Sequence, residues 1–83
     1  MFGLKPSWLT EVAGWYGMIA LILAYALVSF NIIAGDGLPF QLLNLTGGIG
    51  LILVAASKKV LQSVLLNIFW ALIGIIAIVR IFI

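Results

Sequence analysis

LVAASKKVLQSV, residues 53–64, decides how this chain folds. It lies inside a long oily run, Pro39 to Ile83, whose only charges are Lys58, Lys59 and Arg80. One membrane-spanning helix needs about 20 apolar residues, so a single helix from Pro39 to Ile83 overshoots any bilayer. Keeping the lysine pair at mid-membrane costs about 2.5–3.5 kcal/mol per residue. Ser57, Lys58 and Lys59 are therefore read as a loop, residues 57–59, with one span on each side: 39–56 before it and 60–79 after it.

Working outward, the composition names the solvent. The chain has 83 residues, 66% of them hydrophobic and only 7% charged, with a mean hydropathy of +1.41. A soluble domain carries about 25% charged residues, and a small fold hides a smaller share of its surface than a large one. The surroundings must be lipid. Upstream, VAGWYGMIALILAYALVSFNIIA supplies a first span, residues 12–34. GDGLP follows, with the loop at 35–38 and Pro39 suited to a helix first turn, where its missing N–H costs nothing. The expected fold is all-α: an integral membrane protein of three transmembrane helices in one compact bundle, a single domain over residues 1–83. Short connections make sequential helices antiparallel neighbours. A cleaved signal peptide is the competing reading of the first span, with Ala24-Tyr25-Ala26 imitating a cleavage site. The apolar LVSFNII beyond it argues for a helix that stays.

Three spans put the N-terminus and the 57–59 loop on one side, with Lys5, Lys58 and Lys59. The other side holds only Arg80. The positive-inside rule then expects the N-terminus in the cytoplasm and the C-terminus outside, in the cytoplasmic (inner) membrane of a cell. Trp8, Trp15 and Tyr16 are interfacial anchors on the inner side. Ser7 is placed to cap the first helix, and Glu11 favours the helix dipole.

The same layout excludes much chemistry. There is no Cys and no His, so thiolate and imidazole metal sites and His-based triads are absent. The only carboxylates, Glu11 and Asp36, fall at opposite surfaces, so no paired-carboxylate site forms within one subunit. No enzyme activity and no cofactor are expected, and nothing in the chain signals nucleic acid. The expected partners are the lipid bilayer and a second copy of the chain in a homodimer. A small-molecule substrate, if there is one, is not named by the sequence.

Membrane helices pack through small residues and polar contacts. Gly17, Ala20 and Ala24 form a stripe on the first helix, with Ala13. Gly47, Gly48 and Gly50 offer small surfaces on the second, and Gly74 on the third. Two amides interrupt the oil, each in an LLN tripeptide: Asn44 and Asn67. Gln41 and Asn44 share a face with Gly48; Ser63, Asn67 and Trp70 share one with Gly74. Counting 1.5 Å per residue from the surfaces, the two amides differ by about 12 Å in depth, too far to pair. Each Asn then needs its own partner: a backbone carbonyl or hydroxyl on the first helix, such as Ser29 or Tyr25, or the same Asn in a second subunit. Asn44 is expected to tie the second helix to its own neighbours near the outer surface. Asn67 is expected at a subunit interface or shared cavity. Asn44, Asn67, Trp70, Gln41, Tyr25 and Ser63 are thus the candidate polar interface or pathway.

The motifs Gly14-Trp15, Ala24-Tyr25, Gln41-Leu42-Leu43-Asn44 and Asn67 with Trp70 resemble a family of short uncharacterised bacterial three-helix integral membrane proteins, over roughly residues 12 to 80. That resemblance implies the fold and carries no assigned activity. More distantly, the architecture is similar to the SemiSWEET and PQ-loop half-transporters, three-helix units that dimerise around a sugar path. By that resemblance Asn67 falls at a substrate-facing Asn of the third helix. The chain departs from the pattern after Val28-Ser29-Phe30, where Asn31-Ile32 replaces Pro-Gln, and in carrying Trp70 on the third helix. The main functional reading is a small structural or accessory membrane protein that self-associates. The alternative is a half-transporter passing a small neutral solute, and a pore former is a third.

Overall fold

The computed structural model describes all of residues 1–83 and contains three α-helices and no strand: α1 Trp8–Ser29, α2 Leu38–Ser57 and α3 Leu61–Phe82. All three are long and apolar enough to cross a membrane, and the longest dimension, 37 Å, exceeds a hydrocarbon core of about 30 Å.

Local chemistry sets each boundary. Ser7 and Thr10 form a capping box: Thr10 N–H donates to Ser7 Oγ at 3.3 Å, and Ser7 N–H donates to Thr10 Oγ1 at 3.0 Å. The helix therefore begins at Trp8, ahead of the expected span at Val12. It also ends before Ala34. Asn31 takes φ 60°, with its N–H on the Val28 carbonyl and Ile32 N–H on the Leu27 carbonyl. Those two bonds are a Schellman C-cap, and Asn tolerates its left-handed position. NIIA, expected inside the first span, belongs to the connection. At the other end of the molecule the device recurs. Lys59 takes φ 60°, donating to Ala56, while Val60 donates to Ala55. Residues 58–60 turn the chain there, close to the expected 57–59 loop.

The lateral order has α2 in the middle. It packs against α1 on one flank and α3 on the other, and no Cα of α1 comes within 8 Å of α3. Only five apolar residues are buried, all small: Ala20, Ala24, Ala55, Ala56 and Val64. The large apolar side chains point outward, among them Ile22 and Ile76, as expected when lipid is the solvent and helices meet through small residues. Met1 and Leu4 fold back over Ala55, Ala56 and Val64, closing the α2–α3 corner.

The α1–α2 seam is a backbone-to-backbone approach. A methyl at Gly17 would run into the Gly47 carbonyl oxygen, and one at Gly50 into the Ala13 carbonyl oxygen. A Cβ at Gly14 would lie 2.7 Å from Val54, a constraint beyond the expected Gly17, Gly47 and Gly50. Two expected packing glycines are less tightly constrained. Gly48 is buried, yet a Cβ there meets nothing within 4 Å. Gly74 would make ordinary contact with Leu45 at 3.8 Å. At the α2–α3 seam Leu45 lies against Gly74, and Val64 packs with Ala55 and Ala56.

Candidate functional site: a groove over the central helix

With α1 and α3 held apart, one side of α2 is open and forms the floor of a groove. At the end near the α2–α3 turn two cavities of about 310 Å³ adjoin there. One is lined from α3 by Val60, Ser63 and Asn67, the other from α1 by Glu11, Trp15 and Met18. Leu51, Val54 and Lys58 of α2 line both. Lys58 Nζ reaches Glu11 at 2.7 Å, with both side chains about half exposed. This pair bridges α1 to the α2–α3 corner. It was legible in principle, since three spans place Glu11 and Lys58 on one surface.

Two of the six candidate residues, Ser63 and Asn67, line this groove. Asn67 is buried, only 7% exposed, and its amide N–H donates to the Ser63 carbonyl one turn back, at 2.8 Å. Its Oδ1 takes no hydrogen bond from the protein, and the residue lines the cavity over Leu51. The satisfied half of the amide is thus local to α3, and the unsatisfied half faces the groove. Ser63 lines the same cavity. Tyr25 lies two turns beyond Met18, on the same face of α1 by helical spacing, and is 75% exposed.

Asn44 ties α2 to a neighbouring helix, though not to α1. Its partner is neither Ser29 nor Tyr25, both exposed. Trp70 Nε1–H donates to Asn44 Oδ1 at 2.7 Å, joining α2 to α3. The two asparagines take different partners, and Trp70, nearly a turn beyond Asn67 on α3, supplies the donor to Asn44. Gln41, also buried, donates from Nε2 to the Gly35 carbonyl at 3.2 Å and pins the α1–α2 connection. A further interhelical bond lies on α1's other flank. Thr46 Oγ1 gives its proton to Leu42 O at 2.8 Å, so at 2.6 Å Tyr16 OH is the donor to Thr46. Periodicity alone did not signal it, because Tyr16 read as an interfacial anchor.

At the opposite end, near the α1–α2 turn, Asp36, Gln41, Ala77, Arg80 and Ile81 line a cavity of about 400 Å³. Asp36 and Arg80 face it without pairing; Glu11–Lys58 is the one ion pair within 4.0 Å.

No curated protein matches the chain, and no solved structure does, so the likeness to half-transporters finds no support among known proteins. A family model does match, over residues 10–83. Covering nearly all of the three helices, that match makes this chain a member of an uncharacterised protein family.

Proposed function

We propose that the chain is a structural or accessory protein of the cytoplasmic membrane, without catalytic activity, which self-associates by closing its groove against a second copy. One observation carries the reading: a buried amide, Asn67, offers an unpartnered Oδ1 to an open groove. In hydrocarbon such a group is poorly satisfied by lipid. A two-fold axis along the membrane normal brings Asn67 opposite its own copy at equal depth, where each amide can donate to the other. Bonds of this kind contribute about 0.6 kcal/mol on average, so they set register more than they drive association. The lysine-rich turn faces the cytoplasm in this reading, by the excess of Lys5, Lys58 and Lys59 over Arg80.

Disulfide cross-linking in membranes tests it. Asn67→Cys should link efficiently between copies. Asn44→Cys should not, because Asn44 sits under Trp70. Linking through Asn44→Cys alone, or through neither, would reject this face as the interface. A second reading has one observation in its favour. The cavity beside Asn67, about 310 Å³, is in the range of small-molecule sites, which suits a half-transporter for a small neutral solute. Uptake of neutral solutes into vesicles that the Asn67→Leu variant abolishes would move the assignment to transport.

A further inference from the structure

The cavity at the α1–α2 turn has a charge pattern of its own. Arg80 supplies a cation on one wall, and Asp36 an anion on the other, unpaired with each other. Gln41 is more than nine-tenths buried; its Nε2 holds the turn that carries Asp36, and its Oε1 takes no protein donor.

Along α3 from this cavity runs an apolar furrow. Leu66, Phe69, Trp70 and Ile73 line a further pocket of about 310 Å³ with no polar side chain but the indole. Ala77, Ile73, Trp70 and Leu66 follow one another by four, three and four residues, one face of a helix. From Ala77 to Leu66 the rise is about 16 Å at 1.5 Å per residue. That matches one leaflet, half of a core of about 30 Å.

We propose that this end of the protein holds one phospholipid with a primary ammonium headgroup, in the leaflet beside the α1–α2 turn. Arg80 takes the phosphate, since a guanidinium fits phosphate oxygens with two parallel bonds. Asp36 and Gln41 Oε1 accept from the ammonium. One acyl chain lies in the furrow. A choline headgroup has no N–H to give these acceptors, and a glycerol headgroup has no charge to meet Asp36. The headgroup end of the site lies about 20 Å along α3 from Asn67 by the same rise, and the proposal stands whether or not the protein self-associates.

The test is native mass spectrometry of the protein released from vesicles containing equal ethanolamine, choline and glycerol phospholipids. The wild type should retain the ethanolamine lipid several-fold over the other two. Asp36→Asn should bring the ethanolamine-to-choline ratio to about one, and Arg80→Gln should lower retention of all three, while Lys59→Gln changes neither. Asp36 and Arg80 are exposed, so both variants should keep wild-type helix content by circular dichroism. Ile73→Trp, which fills the furrow, should also release the lipid. Equal retention of the three lipids by the wild type overturns the proposal, as does an unchanged ethanolamine preference in Asp36→Asn or undiminished lipid retention in Arg80→Gln. Displacement by millimolar glycerophosphoethanolamine would also overturn it, because a soluble headgroup would then suffice and the furrow would have no role.

Discussion

Gly50→Ala and Gly48→Ala are the same substitution two residues apart on one helix, and they should have opposite effects. The added methyl at position 50 meets the Ala13 carbonyl oxygen and, at 3.4 Å, Gly17 Cα. Both belong to helix backbone, so no side chain can swing aside. To restore ordinary contact, α1 and α2 must separate by about 1 Å, and a gap of 0.5–1 Å forfeits a quarter to a half of each dispersion well. If about 30 atom pairs across this seam hold about 0.15 kcal/mol each, separation costs about 1–2 kcal/mol. The residual overpacking at position 50 brings the loss to about 2–3 kcal/mol. At position 48 the methyl meets nothing within 4 Å. There the gain in helix propensity, about 0.5–1 kcal/mol, acts alone. Reversible unfolding in mixed micelles, followed by tryptophan emission and circular dichroism, would read both. Ile76→Ala, at an outward position 61% exposed, serves as a control and should change little. Equal destabilisation at 48 and 50, or a milder effect at 50, would refute the placement of the α1–α2 seam.

The polar contacts give smaller, graded effects. Trp70→Phe should cost about 1 kcal/mol in the same assay, since it removes the donor to Asn44 and keeps the ring; no change would mean that the indole turns to lipid. Tyr16→Phe should cost about 0.6 kcal/mol or less, because Thr46 keeps its bond to Leu42. Lys59→Gly should stabilise the protein by about 1 kcal/mol, as Lys59 holds a left-handed conformation that glycine adopts freely; a loss would place that turn differently. For orientation, an impermeant thiol reagent outside intact cells should label Asp36→Cys and spare Lys59→Cys. Lys59 is the better probe of that turn because Ser57 is buried. Reversed labelling would invert the topology, and equal labelling would reject three spans.

The particular residues show what the amino-acid order could reveal. Lys58 and Lys59 had to leave the hydrocarbon, so the split into α2 and α3 followed from desolvation alone. Ser7 was legible as a cap from its position before an apolar run. The extent of α1 was not: NIIA is as oily as a helix, and only the local Schellman bonds around Asn31 end it there. Lateral order was hidden as well, since short loops force sequential helices together but say nothing about α1 against α3. That order creates the groove. The shared face of Ser63, Asn67 and Trp70 was visible from spacing, whereas the pairing of Trp70 with Asn44 depended on the reach of one indole across two helices. Gly48 and Gly50 look alike in a pattern of small residues, and only three-dimensional contact separates a required glycine from a replaceable one.

The central claim is that the groove at Asn67 is closed by a second copy. Energy transfer between donor- and acceptor-labelled chains in vesicles, across a dilution series of protein in lipid, addresses it most directly. The wild type should form dimers, and Asn67→Leu should raise their dissociation constant about three- to twentyfold, the equivalent of about 0.6–1.7 kcal/mol. A wild type that stays monomeric throughout the series, or an Asn67→Leu variant that dimerises as tightly as the wild type, would contradict it.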